Sequence, residues 1–159
     1  MNAANSLLEP LEAFVGDRPH VHQGYVAGSP VPDSRLVDWR LELVQVPVSD
    51  VERAKAFYTD EAGFNADIDV TVREGLRFIQ LTPPGSPASI AIGTGITEMA
   101  PGSLDGLQLV VADIHAARAE LAERGVEVSD VQVFDWGSFV FFSDPDGNGW
   151  SVQQLPERD

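Results

Sequence analysis

From residue 40 onward, apolar and polar positions follow two kinds of period, and the order of those periods repeats. Arg40-Leu-Glu-Leu-Val-Gln-Val-Pro-Val48 has the apolar run and β-branched content of a strand. Asp50 stands where a helix N-cap belongs, and Val51, Ala54 and Tyr58, at i, i+3 and i+7, predict a helix with one apolar face. Gly63 ends that segment. Phe64 to Val72, Leu76 to Thr82 and Ala88 to Gly93 read as three further strands, the last two joined by the turn Pro83-Pro-Gly-Ser86.

The same order then recurs. Gly106 to Val111 predicts a strand, Asp113 an N-cap, and Ile114, Ala117 and Leu121 an apolar helix face. Asp50 and Asp113 are 63 residues apart, as are Val51 and Ile114, Ala54 and Ala117, and Tyr58 and Leu121. Gly125 answers Gly63 with a slip of one residue. Val126 to Val133, Ser138 to Ser143 and Trp150 to Gln154 supply the remaining strands, and Asp144-Pro-Asp-Gly-Asn-Gly149 is hairpin-turn chemistry. The predicted fold is therefore α+β: two tandem βαβββ modules, residues 39–97 and 105–157, forming a curled mixed sheet around a central cavity. Each helix covers one face of its sheet, so the other face must meet the second half or a ligand.

Residues 1–38 break the pattern and read as an N-terminal extension before a domain spanning 39–159. Ser6 to Phe14 predicts a short helix, and Gly16 to Ser34 is an irregular arm that covers a pocket, packs on a partner subunit or is loose.

Composition narrows the chemistry. With no cysteine among 159 residues, disulfides, thiolate metal sites and thiol nucleophiles are excluded. A formal net charge of −15, with Lys55 the only lysine, argues against nucleic acid and anionic membrane as partners. No apolar run approaches the roughly 20 residues of a membrane span, and the N-terminus lacks a signal-peptide pattern, so a cytoplasmic location is expected.

Pro47-Val-Ser-Asp-Val-Glu-Arg-Ala-Lys-Ala-Phe-Tyr58 with Gly63-Phe64, and Phe141-Phe-Ser-Asp-Pro-Asp-Gly-Asn-Gly-Trp150, resemble the opening and closing segments of the vicinal oxygen chelate superfamily, which includes glyoxalase I, bleomycin-resistance proteins and extradiol dioxygenases. The similarity covers roughly residues 39 to 155. In the enzymes of that family a divalent ion is held by four strand positions, which the resemblance places on Leu43, Ala91, Gly106 and Ser151. None of these forms a competent ligand set, so no metal and no cofactor are expected. The resemblance also implies a homodimer.

Alternation along the strands then selects a pocket face. If Leu43 points inward, so does Gln45, while Val44 and Val46 point to the helix. Gln108, Ser151 and Gln153 follow by the same rule in the second module, with Gln80 and Phe78 on the third strand. These amides either form an uncharged recognition set for carbonyls, hydroxyls and amides, or hydrogen-bond one another across the module interface. Trp136 lies in an inferred hairpin loop at the cavity mouth, while Phe139, Phe141, Phe142 and Trp150 divide between core and pocket. Titrating candidates are few: Glu42, one residue out of register from Leu43; Arg77, positioned to pair with Glu42 or an anionic ligand; His115 on the second helix; and His20 and His22 in the arm. The leading reading is a metal-independent protein of the bleomycin-resistance type that binds a small organic molecule in the inter-module cavity. A metal-free natural-product cyclase or isomerase, and a metal-dependent lyase or dioxygenase with unusual ligands, are the alternatives.

Overall fold

The structure, a computed structural model, describes residues 37–157. The expected N-terminal helix and arm, with His20 and His22, lie outside the described residues. Asp50 caps helix α1 (Val51–Ala56) by accepting from the Arg53 amide at 3.0 Å, and Asp113 caps α2 (Ile114–Glu123) by accepting from the His115 and Ala116 amides. Around them run β1 (Leu43–Gln45), β2 (Asn65–Arg73), β3 (Leu76–Thr82) and β4 (Ser89–Thr94) in the first half. The second half supplies β5 (Leu107–Val110), β6 (Gln132–Phe134), β7 (Gly137–Ser143) and β8 (Gly149–Gln154). Sheet 1 has the order β1-β4-β3-β2 and sheet 2 the order β5-β8-β7-β6, with β1 parallel to β4, β5 parallel to β8, and the other pairs antiparallel. This is the predicted tandem arrangement of curled, mixed sheets.

Three departures have local causes. The first strand is shorter than its apolar run: Val46 still donates to the Ala91 carbonyl, but Pro47 has no N–H with which to extend the ladder. Before it, Trp39 is 88% and Leu41 67% exposed. The strand expected over Val126 to Val133 contracts to β6, because Ser129 Oγ accepts from the Phe141 amide where a backbone carbonyl would continue the ladder. Helix α1 runs on into one π-helical turn, Phe57–Glu61, in which the Ala62 amide reaches the Phe57 carbonyl. Phe57 and Tyr58, three and four residues after Ala54, are both buried at its start.

The main core joins the helix-side faces of both sheets. Val46, Ala54, Phe57, Tyr58, Ile79 and Ile92 from the first half share one cluster with Ile114, Val140, Phe142, Trp150 and Val152 from the second. At its centre Tyr58, with no exposed surface, packs edge-on against Phe57 and Trp150. Its hydroxyl donates to Asp144 Oδ2 at 2.8 Å and accepts from Trp150 Nε1 at 3.0 Å. Asp144 is 5% exposed and is satisfied by the Asn148 side chain and by the Asp146 and Asn148 amides, while Asn148 also donates to the Pro47 carbonyl. The β7–β8 turn is thus bonded to the end of the first strand and helix, locking one half to the other. A second, smaller cluster of Leu76, Phe78, Ala91 and Ile96 lies on the opposite face of sheet 1 and contains no residue of the second half.

Removing the Tyr58 hydroxyl leaves Asp144 Oδ2 and Trp150 Nε1 each short of a buried partner. Tyr58→Phe is expected to lower unfolding free energy by about 1–3 kcal/mol, measured by urea titration. Burial, reinforced by the Asp144 charge, raises the Tyr58 phenol above its ordinary range. A raised folded value means the stability is intact below about pH 10 and falls as pH rises beyond it. Tyr58 phenolate absorbance should therefore appear only together with alkaline unfolding, and Tyr58→Phe should remove that component.

Candidate functional site

Strand register sorts the side chains between two faces. In sheet 1, Leu43 lies opposite Ser89, Gln45 and Gln80 both lie opposite Ala91, and Phe78 lies opposite Gly93. Leu43, Gln45, Phe78, Gln80, Ser89 and Ala91 accordingly share the outer face, turned from the helix, as alternation predicts. Phe78 and Gln80 are buried in the curl of the sheet at 5% exposure, while Leu43 and Gln45 are half-buried. Gln80 Nε2 donates to Ser89 Oγ at 3.1 Å, and Ser89 continues to Thr82, which donates to Asp67.

Sheet 2 repeats the arrangement with more aromatic surface. Gln108 lies opposite Ser151, which faces Phe141, and Gln153 lies opposite Phe139. Gln108 Nε2 donates to Gln153 Oε1 at 2.6 Å, Ser151 Oγ donates to Gln108 Oε1 at 3.3 Å, and Gln153 Nε2 donates to the Trp136 carbonyl at 2.8 Å. The amides of the second module therefore bond within their own sheet, not across the interface. Gln153 also fixes the β6–β7 hairpin, where Trp136 stacks on Phe134 with centroids 5.0 Å apart and planes 9° apart. Phe134 meets Phe139 edge-on, and Phe139 stacks on Phe141, which makes a continuous aromatic ladder. Trp136 is 61%, Phe141 41% and Phe134 40% exposed, while Phe139 between them is buried.

The predicted residues therefore gather into two groups rather than one. Leu43, Gln45, Phe78 and Gln80 line the outer face of sheet 1, and Gln108, Trp136, Ser151 and Gln153 belong to that of sheet 2. Because the halves pack through their helix-side faces, the outer faces do not cover each other within one chain. Between the halves lies instead a cleft of about 430 Å³, lined among others by Phe64, the Pro83–Pro87 turn, Leu109, Leu121 and Phe142, and touched by Gln108 alone among the predicted residues. Sequence reasoning left Phe139 and Phe141 divided between core and pocket; their alternation with the buried Val140 and Phe142 distinguishes the sides. It missed Phe134 and Ser89, which only cross-strand pairing locates.

The charged candidates fare differently. Arg77 is committed to the helix side, where it donates to both Asp69 oxygens, at 2.9 and 2.8 Å, and pairs with Glu52. Its register beside Ile79 turns it away from the outer face, so it is not placed to hold an anionic ligand there. Glu42 lies exposed on the segment before β1, and His115 is exposed in the first turn of α2, as expected. The four positions at which the family resemblance puts metal donors offer a single side-chain oxygen, Ser151 Oγ, already bonded to Gln108. Among the described residues no three His, Cys, Asp or Glu side chains converge, so this donor set does not fit a divalent ion. Nor does any helix among the described residues have the length and apolarity to cross a membrane.

Comparison with known proteins gives these faces a context. The family model described as the Glyoxalase/Bleomycin resistance protein/Dioxygenase superfamily matches residues 40–152. The crystal structure of TnmS3, an antibiotic binding protein from Streptomyces sp. CB03234, is 38% identical with a TM-score of 0.69, the alignment covering 76% of this chain and 99% of that one. A glyoxalase/bleomycin resistance protein from the same organism is 41% identical, with a TM-score of 0.65 over 72% of this chain and 100% of its own. YetH of Bacillus subtilis (strain 168) is 29% identical over 115 residues, 70% of this chain and 94% of that protein.

The Arg77 network yields a prediction separate from ligand binding. Hydrogen bonds from Arg77 and then Lys55 hold the Asp69 carboxyl well below the usual carboxylate range. A lowered folded value means the contribution is present above about pH 4 and is lost as pH falls below it. Asp69→Asn should reduce the acid dependence of the melting temperature in that window and leave Trp136 emission unchanged.

Proposed function

This chain belongs to the Glyoxalase/Bleomycin resistance protein/Dioxygenase superfamily, and from that premise we propose that it binds a small organic molecule of antibiotic type, without a metal, in a cavity completed by a second copy of itself. The outer face of sheet 1 from one copy supplies Leu43, Gln45, Phe78 and Gln80. The outer face of sheet 2 from its partner supplies Gln108, Ser151, Gln153 and Trp136. The ligand thus sits between two modules, as the internal repeat suggests, but the modules come from different chains.

The carrying observation is the pair of open faces. Each carries apolar side chains with a few convergent polar groups, as in a ligand site, and among the described residues neither is covered by the other half. An aromatic ladder that exposes Phe134, Trp136 and Phe141 around the buried Phe139 marks an interaction surface. The amides carry no charge, so they recognise carbonyl and hydroxyl groups without the cost of desolvating an ion. They do not titrate near neutrality, which favours binding over acid–base turnover. TnmS3, at 38% identity, is an antibiotic binding protein, which supports that ligand class.

Sedimentation should give a dimer. Tryptophan quenching by an aromatic antibiotic should saturate, persist in chelator and release the compound unchanged. Trp136→Ala should weaken binding about tenfold through loss of stacking. Mixing Trp136→Ala chains with Gln80→Ala chains should restore one of two sites per heterodimer. A monomer that binds as tightly as the wild type, or chelator-sensitive conversion of the compound, would overturn the reading.

A further inference from the structure

The internal repeat is broken at one place, and a cavity results. In the first half the π-helical turn after α1 carries Tyr58, which fills the space between the halves and bonds to the β7–β8 turn through Asp144. The repeat assigns Leu121 of α2 to the equivalent position, 63 residues on. The β3–β4 turn, Pro83 to Pro87, stands where the β7–β8 turn stands in the other half. Leu121 carries no hydroxyl and reaches less far than a phenol, and the turn Pro83-Pro-Gly-Ser-Pro87 offers no carboxylate or amide side chain for it to meet. Where Tyr58 is fully buried, Leu121 is only half-buried. The space one half fills with a tyrosine–tryptophan–aspartate cluster is, in the other, the cleft of about 430 Å³.

The cleft lies on the helix side of sheet 2. Leu109, Val111 and Val152 line it from that side, while Gln108 and Val110, which alternate with them, border it along β5. It shares only Gln108 with the residues of the dimer cavity proposed above and does not depend on a second copy. Phe64, Leu109, Leu121, Phe142 and Val152 make its interior apolar, and the proline-rich turn gives it a stiff wall. Its cation is Arg124, whose guanidinium lies directly over Gly63 from the other half. A Cβ on Gly63 would fall 1.9 Å from Arg124 Nη1, and the positive φ of 78° already calls for glycine there. Arg124 Nη2 donates to Glu120 at 2.9 Å, but that carboxylate is 63% exposed and the arginine side chain 39%. An exposed i,i+4 pair of this kind holds weakly, so a ligand carboxylate can take its place on the planar guanidinium fork.

We propose that this cleft is a second binding site, for a monocarboxylic acid with an apolar body, which Arg124 holds by its carboxylate while the chain or ring fills the space that Tyr58 occupies in the other half. The probe is decanoate, titrated into full-length protein carrying methyl-labelled leucine and valine. The expected result is saturable shifting of the Leu109, Val111, Leu121 and Val152 methyl resonances, with one site per chain by calorimetry. Leu121→Tyr restores the side chain of the repeat and should abolish those shifts. Arg124→Gln, an exposed change that leaves the fold intact, should weaken decanoate about tenfold and remove its preference over decanol. Shifts confined to Leu43 and Val70 on the outer face of sheet 1, no saturable shift at all, or equal affinity for decanoate in wild type and Arg124→Gln would each overturn the proposal. Failure of the antibiotic titration would leave this result untouched, since Arg124 and the methyl groups read here belong to no residue of the dimer cavity.

Discussion

The Tyr58 hydroxyl, shared between Asp144 and Trp150, is the contact on which the arrangement of the two halves depends. A lone buried carboxylate is costly unless its oxygens are satisfied, and Asp144 achieves this with groups from both halves: Tyr58 from the first, Asn148 and two turn amides from the second. Asn148 then reaches across to the Pro47 carbonyl and the Leu104 amide. Because these bonds are directional as well as buried, they set the orientation of one half on the other, which apolar packing alone specifies less sharply.

That orientation decides which surfaces remain for function. Joining the halves through their helix-side faces uses Val46, Ile79, Ile92, Val140 and Val152 for the core. The amides and aromatics of alternate positions are left on the outer faces. Sheet 1 buries Phe78 and Gln80, while sheet 2 shows Phe134, Trp136 and Phe141 to solvent. The outermost strands differ too: β2 runs nine residues with two irregularities in its pairing to β3, whereas β6 runs three. One half-site is deep and amide-lined, the other open and aromatic.

The repeat is also where the two halves diverge chemically. Tyr58 and Asp144 make one junction dry and polar-bonded; Leu121 and the Pro83–Pro87 turn leave the other hollow. Leu121 is accordingly half-buried where Tyr58 is fully buried.

Much of this was legible in the residues. The N-caps Asp50 and Asp113, the 63-residue spacing and the alternation around Leu43, Gln45, Gln108 and Gln153 are local properties, because helix and strand periods act over a few residues and each strand commits its side chains to alternate faces. They determined the elements, the repeat and which residues share a face. Other features arise only when distant segments meet. Ser129 ended a strand by bonding Phe141, Arg77 was claimed by Asp69 and Glu52, and α1 ran on into a π-turn. Above all, the sequence carries no local signal for which faces of the two sheets meet, since both faces of sheet 1 are apolar enough to bury. The tertiary structure decided that through hydrogen bonds spanning 86 to 101 residues, whose geometry is satisfied in one packing of the halves.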